Sequence, residues 1–212
     1  MHEAVTDLPA VPSPVIAVVD DDAAARVSLV RLLDVSGYAV QAYDSGEAFL
    51  EAPGGAEASC VVTDLQMPGL TGLELQQALA ARGRPVPMVF ISGYGTVATS
   101  VQAMRHGAVD FLEKPAAPDA LLEAIERAVA KGRTLSARQE QRLDVERRLA
   151  LLTARERQVF DGVVQGLPNK QIGAQLGIAL KTVKVHRGRV MQKMEAQSVA
   201  DLVRDAELLG GE

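Results

Sequence analysis

Five short runs rich in β-branched residues alternate with five helix-like segments over the first 130 residues, and no other feature constrains the fold of this chain as much. The runs are VIAVVD (15–20), AVQAY (39–43), CVVTD (60–64), MVFIS (88–92) and VDFL (109–112). Between them lie helical stretches at 23–36, stopped by Gly37, at 45–52 with Ser45 as N-cap, at 72–81, and at 97–106, stopped by Gly107. A last helix opens at Pro118, where Leu121, Leu122, Ile125, Ala128 and Val129 recur on one face. Strands that alternate with helices in this way build a parallel sheet covered on both faces. Ligands of such sheets bind beyond the carboxyl ends of the strands, which singles out Asp20, Asp64, Ser92 and Lys114.

Charge divides the chain again. Residues 13–130 hold 15 acidic and 7 basic side chains, net −8, whereas 131–149 hold 3 and 6, net +3, and 150–212 hold 7 and 9, net +2. An acidic module followed by a basic one implies different partners, a polyanion for the second. Residues 131–149 are Pro-free and rich in helix formers, so they read as a solvated linker that continues the fifth helix past Gly132. Leu121, Ala128, Leu135 and Leu149 share a seven-residue spacing, but Arg142 interrupts it, which favours a single exposed helix over a coiled coil. The longest apolar run, Val15–Val19, is far short of the roughly 20 residues that span a bilayer, so no membrane partner is expected. MHEAVTDLPAVPSP lacks the basic and apolar regions of a signal peptide, and the lone Cys60 excludes a disulfide framework. A cytoplasmic protein is expected.

The last 60 residues show no strand-like alternation. Helix 155–165 turns Val159, Phe160, Val163 and Val164 inward, behind a capping box of Thr153 and Glu156. Residues 166–169 form a turn with Asn169 as the next N-cap, and helices follow at 170–176, 180–194 and 198–209. This is a four-helix unit with a helix-turn-helix in its middle.

Asp20, Asp21 and Asp64 would meet at the ends of two neighbouring strands. Like charges so close need a cation, and hard oxygen ligands suit Mg²⁺ with phosphate partners. Asp22 reads as a helix cap instead. Lys114, held extended by Pro115, could reach the same pocket, and Ser92 adds a hydroxyl. A carboxylate nucleophile, a divalent cation, a lysine and a hydroxyl together suit uptake of a phosphoryl group, which depends on charge neutralisation and in-line positioning.

The motifs VVDDD (18–22), VVTDLQMPGLTG (61–72), FISGYG (90–95) and AMRHGAVDFLEKP (103–115) resemble the receiver domain of two-component response regulators over about residues 15–130. The resemblance implies that Asp64 is the phosphoacceptor and Asp21 a Mg²⁺ ligand, with Asp20 acting directly or through water. It implies that the backbone carbonyl of Gln66 completes the metal site. Ser92 would be the switch hydroxyl, Phe111 the aromatic that reorients with it, and Lys114 the ion-pair partner. Ser92 stands where Thr is commoner, and Ala116 where many relatives have Phe. Tyr94 and Gln66 occupy positions that modulate phosphoryl lifetime in the family.

Helix 180–194 carries Lys181, Lys184, Arg187, Arg189 and Lys193 without an acid until Glu195. Val183, Val190 and Met194 fall on one side; Lys181, Lys184, Val185 and Gly188 on the opposite side; Thr182, His186, Arg189 and Lys193 on a flank. A charged helix face is usually just solvated, but an apolar side opposed to a basic one also suits an element in the DNA major groove, where Gly188 allows close approach. Residues 152–194 closely resemble the LuxR-type helix-turn-helix, with Pro168 and Ala179 where Ser is common before the second and third helices. The loss of Ser at 179 removes a possible N-cap, so that helix start is expected to fray.

The two resemblances together place the chain with the FixJ/NarL subfamily. The expected architecture is an N-terminal tail (1–13), a five-stranded parallel doubly wound α/β receiver (14–130), a helical linker (131–149) and a small all-α four-helix DNA-binding domain (150–212). The expected function is that of a transcription factor controlled by Mg²⁺-dependent phosphorylation of Asp64 from a sensor histidine kinase. Its partners would be double-stranded promoter DNA, a second copy when phosphorylated, and RNA polymerase; no small-molecule turnover is expected. Two alternatives stand beside it. A Mg²⁺-dependent phosphohydrolase also uses a strand-end Asp, but Asp64-Leu65-Gln66 lacks the second Asp such sites place two residues on. A phosphate-independent DNA-binding protein with a vestigial receiver would not need the intact set of Asp20, Asp21, Asp64, Ser92 and Lys114.

Overall fold

β1 (Val15–Val19), β2 (Ala39–Tyr43), β3 (Cys60–Asp64), β4 (Met88–Ser92) and β5 (Asp110–Glu113) pair in parallel in the order β2-β1-β3-β4-β5. The structure, a computed structural model, describes residues 13–53, 58–83, 86–93 and 95–210; Tyr94 and all but the last residue of the expected tail lie outside them. Central strands buried on both faces need continuous apolar runs, and β1, β3 and β4 have them, while β2 and β5 at the edges are partly exposed. One face of the sheet turns Ile16, Val18, Val62, Val89 and Ile91 towards Leu33, Leu121, Ile125 and Ala128; the other turns Ala17, Val19, Val61, Met88 and Phe90 towards Phe49, Leu75 and Leu79. Each large side chain so buried contributes about 1.5–3 kcal/mol before the cost of ordering it.

Register brings distant residues to one edge. Val19 pairs with Thr63, so Asp20 leaves the sheet beside Asp64, and Ser92 pairs with Glu113, so Lys114 emerges next to Ser92. The strand order reverses direction between β1 and β3, where a crevice opens at the carboxyl ends.

Helices α1 (Ala23–Val35), α2 (Gly46–Glu51), α3 (Gly72–Ala81) and α4 (Val97–Arg105) start at Asp22, Ser45, Thr71 and Thr96, each of which accepts a backbone N–H on its side chain. β5 begins one residue later than the sequence suggests. The N–H groups of Gly107 and Ala108 close α4 onto the carbonyls of Met104 and Ala103, so the chain turns to the sheet only at Val109, which donates to Met88. α5 (Pro118–Ala150) continues past Gly132 as one helix, but the 131–149 stretch is not solvated throughout, because Val145 and Leu149 are buried. A glycine is required at 132 because a Cβ there would lie 2.5 Å from the carbonyl oxygen of Ser59.

The chain divides between Leu135 and Ser136 into two compact units. In the second, α6 (Ala154–Val164), α7 (Asn169–Leu176), α8 (Leu180–Lys193) and α9 (Val199–Gly210) pack Val159, Phe160, Val163, Ile172, Val183, Val190, Met194 and Leu202 against Val145 and Leu149 of α5. The capping box of Thr153 and Glu156 forms as expected. Asn169 does not cap α7: Pro168 holds the cap position without a side-chain hydrogen bond, and the Asn169 Oδ1 accepts from Arg187 Nη1 at 2.8 Å. The side chain that could have capped the helix is used to join α7 to α8. Ala179 likewise starts α8 without a side-chain cap.

Candidate functional site

Ligand oxygens of Asp20, Asp21 and Asp64 lie within 4.8 Å of one another at the crevice. Asp20 is almost fully buried (1% exposed), Asp64 half-buried and Asp21 exposed, so the cluster has a closed floor and an open mouth. Lys114 bridges two of them: its Nζ donates to Oδ2 of Asp20 at 2.8 Å and to Oδ2 of Asp64 at 2.6 Å. Burial opposes the charge on that ammonium, but the two hydrogen bonds and the two carboxylates outweigh it and hold the Lys114 pKa above its ordinary value. The remaining oxygens are oriented by backbone: Oδ1 of Asp20 accepts from Asp22 N–H at 2.9 Å, and Oδ1 of Asp64 from Gln66 N–H at 3.2 Å.

The loop after β3 is shaped around this carboxylate. Gly72 donates its N–H to the Leu65 carbonyl at 3.0 Å, and a Cβ on Gly72 would collide with the carbonyl oxygen of Asp64. Gln66 is exposed on this loop, next to the crevice. Ser92 is fully buried at the end of β4, and its carbonyl accepts the Lys114 N–H at 3.0 Å. Phe111, opposite Phe90 in the ladder, stacks on it with ring centroids 6.1 Å apart. Its edge lies against Gly95, where a Cβ would come within 2.6 Å of the ring. Four separated sequence motifs thus converge on one crevice.

α8 shows a second arrangement. Val183, Val190 and Met194 are fully buried, while Lys181, Thr182, Lys184, Val185, Gly188 and Arg189 are exposed. Three residues read as part of the DNA-facing surface are half-buried. Arg187 is half-buried and holds Asn169. Lys193 donates to the Leu151 carbonyl at 3.0 Å and to Oε2 of Glu156, 2% exposed, at 2.6 Å. His186 is half-buried with its Nδ1 shut off from solvent. Arg187 and Lys193 flank the buried stripe, and side chains of that length reach neighbouring elements from there.

Two family models match the chain, one over each unit. Residues 16–126 match the response regulator receiver domain, and residues 150–206 match the bacterial regulatory proteins of the luxR family. The chain belongs to the FixJ/NarL subfamily of response regulators. This FixJ/NarL-type chain is 44% identical to the transcriptional regulatory protein FixJ of Bradyrhizobium diazoefficiens, over 92% of its own length and 95% of that protein's. It is similar to the solved structure of response regulator StyR, with a TM-score of 0.74 and 40% identity over 92% of this chain and 98% of that one. Full-length FixJ from B. japonicum gives a TM-score of 0.56 at 43% identity, over 93% and 97%. The FixJ/NarL chain is therefore a response-regulator transcription factor, with an α/β receiver followed by a helical DNA-binding domain. Among its described residues, no helix is long and apolar enough to cross a membrane.

Three supporting residues escaped the sequence. Arg26 Nη1 donates to the Asp20 carbonyl at 2.5 Å, Glu47 Oε1 accepts the Leu70 N–H at 2.8 Å and steadies the loop after Asp64, and Glu156 pairs with Lys193. Only Glu156 left a signal, as a capping-box residue; its burial left none.

Proposed function

We propose that Asp64 takes up a phosphoryl group from the phosphohistidine of a sensor histidine kinase. The phosphorus–nitrogen bond of the donor breaks as a phosphorus–oxygen bond forms to the Asp64 carboxylate, and the imidazole leaving group recovers a proton from solvent. Asp20, Asp21 and Asp64, with the Gln66 carbonyl, are the residues to hold Mg²⁺, whose charge offsets that of the phosphoryl oxygens. The convergence of three carboxylates within 4.8 Å carries this reading, since Lys114 offsets only part of their charge and the remainder calls for a further cation. Lys114, already bound to Asp64, pairs with the phosphoryl group; Ser92 bonds it; Phe111 repacks as the Ser92 backbone moves. Hydrolysis of the acyl phosphate resets the site.

We assign 14–130 to the receiver, 131–149 to a helical connector whose Val145 and Leu149 join the second unit's core, and 150–212 to the DNA reader, in a chain that acts in the cytoplasm. Phosphorylation favours a homodimer that binds a two-fold promoter site, with RNA polymerase as a further partner. Lys181, Thr182, Lys184, Val185, His186, Gly188 and Arg189 face the DNA, whereas Arg187 and Lys193 hold the reader's shape. The test is DNA binding and dimerisation with and without beryllofluoride and Mg²⁺, in the wild type and in Asp64→Asn. Both should rise in the wild type alone; equal affinity under all four conditions would make the receiver vestigial.

A further inference from the structure

α4 ends as its sequence encodes: Gly107 takes φ +90°, its N–H donates to the Met104 carbonyl at 3.0 Å, and the Ala108 N–H donates to the Ala103 carbonyl at 3.1 Å. A further donor reaches the same end from another helix. Gln76, on α3 and 7% exposed, donates from Nε2 to the Ala103 carbonyl at 3.2 Å and to the His106 carbonyl at 3.3 Å. Its Oε1 is buried without a hydrogen-bond partner among the described residues.

An amide tied at one end and orphaned at the other is a costly way to fill space between two helices. An apolar side chain of the same length, like the neighbouring Leu75 and Leu79, would fill it without desolvating a carbonyl. What the amide adds is direction, since two bonds converge on the last turn of α4. The other end of α4 follows the loop that leaves Ser92, and its solvent side shows Val97, Val101 and Met104, exposed at 82%, 43% and 46%. The helix is thus held at its C-terminal end by α3, with its N-terminal end joined to the segment that carries the Ser92 hydroxyl.

We infer that Gln76 is a positioning residue that anchors the C-terminal end of α4, so that movement of the Ser92 loop turns the helix about a fixed point and re-aims its apolar side. The signalling half of this inference rests on the phosphorylation reading above; the anchor itself does not.

The test uses the full-length protein with Gln76→Met and Gln76→Glu. Methionine keeps length and packing while removing both hydrogen bonds and the orphaned carbonyl; glutamate sets an acceptor-only group against two carbonyls. Amide hydrogen exchange over residues 104–108 of the unphosphorylated protein should become roughly tenfold faster in Gln76→Met, with β1 amides unchanged. Beryllofluoride with Mg²⁺ should bind that variant with wild-type affinity yet drive dimerisation roughly fivefold less well, a split that mere loss of stability does not produce. Wild-type exchange at 104–108 in both variants would overturn the anchor. Faster exchange with an unaltered dimerisation response would overturn its part in switching. A wild type that fails to dimerise with beryllofluoride would refute the phosphorylation reading, while the exchange arm still decides the anchor.

Discussion

The ammonium of Lys114 lies 2.6 Å from Oδ2 of Asp64, across 50 residues of sequence, and the same nitrogen holds Asp20. One cation therefore sits where acidic charge is densest, and it stands in line to follow negative charge that arrives on Asp64. Lys114→Met should leave Asp64 able to take phosphate from a small donor while cutting the dimerisation response by about tenfold, one charge-assisted hydrogen bond's worth. A full response in that variant, measured by sedimentation with beryllofluoride, would remove Lys114 from the switch.

The pH dependence of this pair follows from its sign. A lysine pKa raised by folding stabilises the fold fully below the unfolded value of about 10.4, and that stability is lost only as pH rises through the higher folded value. The stability difference between wild type and Lys114→Met should thus be flat from about pH 6 to 9 and shrink above about pH 10. Denaturant unfolding at several pH values checks this, and a slope near neutrality contradicts it.

Glu156 behaves oppositely. The hydrogen bond from Lys193, with the Thr153 N–H next, holds its carboxyl down to about 2. A depressed carboxylate contributes stability above its unfolded value of about 4.3, lost as pH falls towards the folded one. Breaking a buried ion pair costs about 3–5 kcal/mol, and Lys193 is one-third exposed, so Lys193→Met should cost about 2 kcal/mol at neutral pH. The loss should shrink below about pH 4 and vanish only below about pH 2.

The same helix separates shape from contact. Lys184→Ala should lower the salt dependence of duplex DNA binding by about 0.9 in log–log slope, with unfolding unchanged. Lys193→Met should destabilise the domain and leave the slope as it was. A reversed pattern in filter binding across salt concentrations would mean that α8 meets DNA with its other flank.

Two glycines within helices should answer the same substitution with opposite signs. Nothing lies within 4 Å of a Cβ at Gly188, so Gly188→Ala should stabilise α8 by about 0.5–1 kcal/mol. At Gly132 a Cβ meets the Ser59 carbonyl at 2.5 Å, and Gly132→Ala should destabilise by about 1–3 kcal/mol despite the better helix former. Thermal unfolding of the two variants decides it.

Most of the receiver's fold was legible because parallel strands announce themselves as apolar runs, and strand ends then place Asp20, Asp64, Ser92 and Lys114 without further information. The buried stripe of α8 was legible for a similar reason, since Val183, Val190 and Met194 recur with the period of a helix. What could not be read was the destination of long polar side chains. Asn169, Arg187 and Lys193 each had a plausible local or solvent role, and each instead closed a contact 18 or 37 residues away. Periodicity fixes the side of a helix from which such a chain departs, and tertiary packing fixes where its charged end stops. Gln76 and Glu47 belong to the same class, with partners set by how α3, α4 and the loop after β3 come together.

The most direct measurement is incorporation of phosphate from a labelled small-molecule donor with Mg²⁺, in the wild type beside Asp64→Asn. The wild type should form an alkali-labile acyl phosphate that chelation of Mg²⁺ prevents, and the variant should form none. Equal labelling of the two proteins, or labelling indifferent to chelation, would contradict a phosphoacceptor at Asp64 in a carboxylate-bound metal site.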